Sequence, residues 1–118
     1  MVFAHGSRVE SANDAVRKVA AELARAGGFE HVLPAFLELG TPDLGTAAGQ
    51  AVANGARSIT VIPYFLTLGL HLERDLPRLI DGIALAHPGI GIRVAAPLDG
   101  HPALVQALLD RARKPASD

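Results

Sequence analysis

The sequence predicts an α/β domain built on a four-stranded parallel sheet, and three observations point to it. Four short apolar runs, MVFA, HVLPAFLE, SITVIPYF and IRVAAPL, alternate with four stretches of helical character. That is the pattern of successive βα units. The connections between them are short, as right-handed crossovers require. The third run is apolar throughout, as in a strand covered on both faces.

Each element follows in order. MVFA, bounded by HGS, reads as the first strand. VESANDAVRKVAAELARAGG carries Val9, Val16, Val19, Ala20 and Leu23 at three- and four-residue spacing, the mark of an amphipathic helix. SRVE and SAND both resemble a capping box, which leaves its start open, and Gly27 and Gly28 end it. In HVLPAFLE, Pro34 cannot donate to a ladder, so this strand belongs at an edge. In TPDLGTAAGQAVANG, Thr41 reads as the N-cap and Pro42 as the first helical residue. Asp43 suits the positive helix start, and Asn54 and Gly55 close the helix. After SITVIPYF, the segment ERDLPRLIDGIALAH reads as a helix with Pro77 near its first turn. IRVAAPL is the fourth strand, and HPALVQALLDRAR the last helix, with Pro102 at its start. Residues 1–114 are expected to form a single domain and residues 115–118 a loose tail.

Composition excludes several classes. A chain of 118 residues fits one domain that hides roughly two-thirds of the surface its unfolded form exposes. Hydrophobic residues make up 49%, ample for a core, but aromatics only 4%, so the core is mostly Ala, Val, Leu and Ile. A net charge of −1 gives no basic footprint for nucleic acid and no polybasic membrane patch. The absence of cysteine excludes disulfides, thiolate zinc sites and cysteine-held iron–sulfur clusters. The first apolar run is too short for a secretory core and has no basic leader, and no run approaches the ~20 residues of a membrane span. A cytoplasmic location is expected.

Pro34 also orders the sheet. With the second strand at an edge, the order 2-1-3-4 of a flavodoxin-like sheet follows, with helices on both faces. Ligands of such sheets sit beyond the strands' carboxyl ends where the order reverses, here between strands one and three. His5 ends strand one, His71 lies in the segment leaving strand three, and Glu38 ends strand two. Two imidazoles and a carboxylate, far apart in sequence, are thereby expected on one rim. Taken singly, each histidine also fits a solvated or hydrogen-bonded strand-end residue, and Glu38 a charge near the N-terminus of the helix at Thr41. His31, His87 and His101 read as structural, His87 at a helix end where a cation suits the dipole and His101 as a cap beside Pro102.

Four motifs in this order, HGSR, AFLELGTPDL, VIPYFLTLGLHLERDLP and APLDGHPALVQALLDR, resemble the small single-domain sirohydrochlorin chelatases. These belong to the class II, ATP-independent tetrapyrrole chelatases. The likeness spans nearly the whole chain, and PYFLTLGLHLERDLP is its most specific block. The resemblance implies one chelatase-type lobe that inserts a divalent metal into sirohydrochlorin, cobalt foremost with iron and nickel as alternatives, on the way to cobalamin or sirohaem. The metal is then substrate, and no permanently bound cofactor is implied. His5 and His71 match the family's metal-binding histidines, and Glu38 matches an acidic position of related chelatases. A homodimer with the tetrapyrrole in the cleft between subunits is also implied, with no nucleic acid or membrane partner. The first strand is short for the family, with four residues before His5.

The chemistry suits these residue types. Insertion needs a partly dehydrated ion and removal of the pyrrole protons. Neutral imidazole binds cobalt, iron and nickel, and two histidines leave coordination positions open. Either imidazole or Glu38 can take a proton. Asp75, four residues after His71, shares a face with it if that turn is helical, and can then orient the ring. Ser7, Arg8 and the helix N-termini after strands one and three can receive the substrate's carboxylates; Arg74 is a weaker choice. Leu66, Leu68 and Leu70 can pack on the macrocycle, in the core or at a dimer contact. Three rivals remain. A phosphate-binding module lacks both G-x-G-x-x-G and GK[ST]. A Ser7 hydrolase lacks the G-x-S-x-G elbow. A cobalt or nickel carrier would use the same ligands.

Overall fold

The computed structural model describes residues 1–114; the tail expected at 115–118 lies outside them. The elements run β1 (Val2–Ala4), α1 (Glu10–Gly27), β2 (Pro34–Phe36), α2 (Leu44–Ala53), β3 (Ser58–Pro63), α3 (Gly69–Ala86), β4 (Gly91–Val94) and α4 (Pro102–Arg113). The four strands form a parallel sheet in the order β2-β1-β3-β4. Pro34 begins the edge strand β2, where its missing N–H costs no ladder bond.

Alternation along β1 divides the core in two. Phe3 points into one cluster with Ala35, Leu44, Ala47, Ile59, Val61, Leu72 and Leu76, built by α2 and α3. Val2 and Ala4 point the other way, against Val16 and Ala20 of α1 and Phe36. The expectation that β3 is covered on both faces is met on one only. Ile59, Val61 and Pro63 are buried, while Thr60 and Ile62 stay partly open. By register, Ile62 lies beside Val2 and Thr60 beside Arg93, on the α1 side. α4 does not fill that space: it has no buried residue, and Val105, Leu108 and Leu109 are exposed.

Several boundaries differ from the sequence reading. β2 spans only Pro34–Phe36, so Glu38 lies just beyond its end, and β3 and β4 stop at Pro63 and Val94. Neither capping box forms at α1, whose N-cap, Val9, has no side-chain bond; Gly28 ends the helix at φ 65°, as expected. Thr41 is not the cap of α2. The Pro42 carbonyl accepts the Phe36 N–H and Asp43 bridges Phe36, so residues 41–43 run beside β2 and the helix begins at Leu44. Asp43 is the cap, accepting the Thr46 N–H at 2.8 Å. Pro77 does not fall in the first turn of α3 but inside the helix, which begins at Gly69. The carbonyl of Glu73 loses its helical partner there. Glu73 and Pro77 both lie on the exposed face, where water can replace it.

The cap gives a stability prediction. The Thr46 backbone N–H, then its side chain, hold the Asp43 carboxyl below the usual carboxylate range. Its contribution is therefore complete above the unfolded-state pKa and is lost as pH falls through the depressed folded value. Asp43→Ala is expected to cost about 1 kcal/mol at neutral pH. Thermal melts of both proteins down to about pH 2 should show the difference shrinking with acidity.

Candidate metal centre

The backbone brings three loops to one rim of the sheet. Phe3 pairs with Pro63, and the Tyr64 N–H donates to the Phe3 carbonyl, so the chain leaves β1 and β3 side by side. On the other flank, Leu37 N–H donates to Ala4 and Glu38 N–H to the His5 carbonyl at 3.0 Å. β1 leads across to β2 and β3 to β4, so this is the point where the order reverses.

His5 and Glu38 meet here. His5 Nε2 lies 3.6 Å from Glu38 Oε1, and both side chains are 58% exposed. The other ring nitrogen, Nδ1, is 3.2 Å from the Gly6 carbonyl. A ring protonated on Nδ1 donates to that carbonyl and leaves the Nε2 lone pair on the carboxylate side. A divalent ion taken up at Nε2 would sit beside the Glu38 carboxylate. The pair thus sets an imidazole beside a carboxylate on an open rim.

His71 occupies the first turn of α3, exposed, where the chain has just left β3 at this rim. Among the described residues, no three His, Cys, Asp or Glu side chains cluster to hold an ion. Asp75 shares the helical turn spacing with His71, and among the described residues no hydrogen bond links their side chains. Arg8 is exposed. Ser7 is largely engaged in its own loop. Its N–H donates to Asn13 Oδ1, its carbonyl accepts from Asn13 Nδ2 and its Oγ accepts the Val9 N–H. Leu66 and Leu70 are exposed, while Leu68 packs on the core. His101 caps α4 by accepting the Ala103 N–H, and His87 follows the last residue of α3, both as read from sequence.

The sequence reading missed Asn13, which is 1% exposed. Its amide N–H groups reach the Ser7 carbonyl, the Leu39 carbonyl and the Glu10 carboxylate. The signal was present: Asn13 falls on the same stripe of α1 as Val16 and Ala20, a polar group on a core-facing surface. Glu10 in turn is held below its usual pKa by Arg17 first and Asn13 second. Gly6 and Leu39 were missed too. Both have positive φ, 95° and 57°, and sit back to back across the two loops.

A sequence model of the CbiX family matches residues 1–114. The chain belongs to the CbiX family. The resemblance read from the four motifs is therefore correct, and the fold agrees. A crystallised CbiX protein from Marinobacter aquaeolei VT8 superposes with a TM-score of 0.82 at 32% identity, covering 96% of this chain and 92% of that one. The sirohydrochlorin chelatase SirB from Bacillus subtilis subspecies spizizenii, solved in complex with cobalt, gives 0.79 at 28% identity, over 99% of this chain and 53% of SirB. The chloroplastic sirohydrochlorin ferrochelatase of Arabidopsis thaliana is 32% identical over 94% of this chain and 49% of its own length. The sirohydrochlorin cobaltochelatase of Methanopyrus kandleri is 35% identical over 68% of this chain and 56% of its own. This CbiX chain thus spans roughly half the length of the curated relatives it matches. Among the described residues, no helix is long and apolar enough to cross a membrane.

Proposed function

We propose that this chain inserts a divalent metal, cobalt foremost, into sirohydrochlorin without ATP, working in the cytoplasm. The observation that carries the proposal is the His5–Glu38 pair, 3.6 Å apart at the switch point, in a chain of the CbiX family. His5 Nε2 and His71 hold the incoming ion, and water completes its shell. Two imidazoles release an ion that a full protein cage would retain. The reaction exchanges M²⁺ for the two pyrrole N–H protons, so charge balances with release of two H⁺. Glu38, next to the His5 ring, is placed to receive one of them. Arg8, Ser7 and the N-termini of α1 and α3 face the substrate's carboxylates.

Residues 1–114 act as one lobe, and a second copy supplies the other wall of the cleft. Two features support the homodimer. The pair lies on an open rim, more than half exposed. α4 and the α1 side of β3 also leave apolar surface uncovered, including Val105, Leu108, Leu109 and part of Ile62.

Absorbance-monitored insertion of Co²⁺, Fe²⁺ and Ni²⁺ into sirohydrochlorin tests the reading. The purified chain is expected to accelerate at least one of them well above the protein-free rate. Tight cobalt binding without acceleration would mark a carrier instead.

A further inference from the structure

We infer that Asn13 is a positioning residue for the His5–Glu38 pair, clamping the loop after β1 to the loop after β2. The inference rests on the chelatase reading above and adds to it a residue that touches neither ion nor substrate.

Ser7 N–H can only donate, so the amide oxygen of Asn13 must face it, at 2.9 Å. The amide nitrogen then faces two carbonyls, Ser7 and Leu39, each at 2.9 Å. Glu10 Oε2, at 3.2 Å, takes a share of the same donors. One buried side chain thus satisfies backbone groups of both loops, and no buried side-chain polar atom among the described residues is left unpaired. Of these partners, Leu39 matters most. It holds φ 57° without being glycine, a conformation disfavoured for a leucine, and the Asn13 bond to its carbonyl helps hold it there. Glu38 is the preceding residue, and its N–H is bound to the His5 carbonyl. The Ser7 end lies two residues from His5. The clamp therefore grips each loop one or two residues beyond the paired side chains, which are themselves more than half exposed.

An aspartate has the size of asparagine but no N–H to offer the two carbonyls. In Asn13→Asp the loops are expected to part while α1 and the sheet persist. Loss of such supporting contacts typically lowers metal affinity or activity about 10- to 100-fold. Isothermal titration of Co²⁺ into the full chain should show a weakening of that size. The insertion assay should show it in KM for Co²⁺ more than in kcat. Asn13→Ser, smaller and without a charge, serves if the aspartate variant does not fold. Ile83→Ala, buried near the far end of α3, is the control for lost stability alone, and its KM for Co²⁺ should stay within about twofold of wild type. If the folded Asn13 variants melt earlier yet bind Co²⁺ like wild type, the positioning role is overturned and the amide only supports the scaffold. If wild type itself neither binds nor inserts Co²⁺, the chelatase reading falls first and this inference with it.

Discussion

His5→Ala and His71→Ala should each lose most of the catalysed insertion rate while leaving the fold intact. The two halves of that statement rest on different facts. Both rings are exposed, and exposed substitutions away from caps and strained backbone usually shift stability by about 0.5 kcal/mol or less. A positioned group that moves the reacting proton contributes about 10²- to 10⁴-fold, and one that holds the reacting ion acts on the same step. The loss should therefore be about two orders of magnitude or more at unchanged melting temperature. Because the two residues serve one ion, the double variant should be little worse than either alone. His31→Ala gives the contrast. His31 lies just before β2, at the opposite end of the strands from His5, and is also exposed, so its loss should leave the rate unchanged. Parallel insertion assays and melts settle the matter. Full activity in His71→Ala would remove α3 from the site and leave His5 and Glu38 to account for the chemistry.

Much of this arrangement was legible because it follows from strong local rules. One proline in HVLPAFLE marked the edge strand, and the edge strand ordered the whole sheet. Once β1, β2 and β3 were ordered, the positions of His5, Glu38 and His71 at the strand ends placed them on one rim without any knowledge of side-chain contacts. Where the reading failed, tertiary contacts outweighed a local signal. Thr41-Pro42 has the composition of a helix start, yet Phe36 captures the Pro42 carbonyl and draws the segment beside β2. Pro77 argued for a late start to α3, but Leu72, Leu76 and Ile83 bury one continuous face, and that packing outweighs a single missing hydrogen bond. The approach of His5 to within 3.6 Å of Glu38 depends on loop geometry, which periodicity does not encode. His71 comes to the rim through the first turn of α3, and that placement is likewise a matter of loop geometry.

Gly6→Ala should do more damage to the protein than any other single methyl group added to this rim. A Cβ at Gly6 would fall far inside the van der Waals contact distance of the Glu38 carbonyl oxygen, a backbone atom with no rotamer to escape into. The φ of 95° adds to the cost, since side-chain-bearing residues rarely adopt it. Strained backbone of this kind costs about 1–3 kcal/mol, and overpacking adds about 1–3 more. The sum is a large part of the 5–15 kcal/mol that typically holds a domain together. Gly28→Ala separates the two contributions. Gly28 is also left-handed, at φ 65°, but a Cβ there meets nothing within 4 Å. It should therefore cost only about 1 kcal/mol and leave insertion untouched. Urea denaturation of the two variants measures the difference, and cobalt titration of whatever Gly6→Ala remains folded measures its consequence. If the alanine is accommodated, the loops after β1 and β2 must move apart, and His5 and Glu38 move with them. Cobalt affinity should then fall in the folded fraction as well. A Gly6→Ala protein as stable as Gly28→Ala, with wild-type cobalt binding, would mean that the two loops are not in contact and that the His5–Glu38 spacing is set elsewhere.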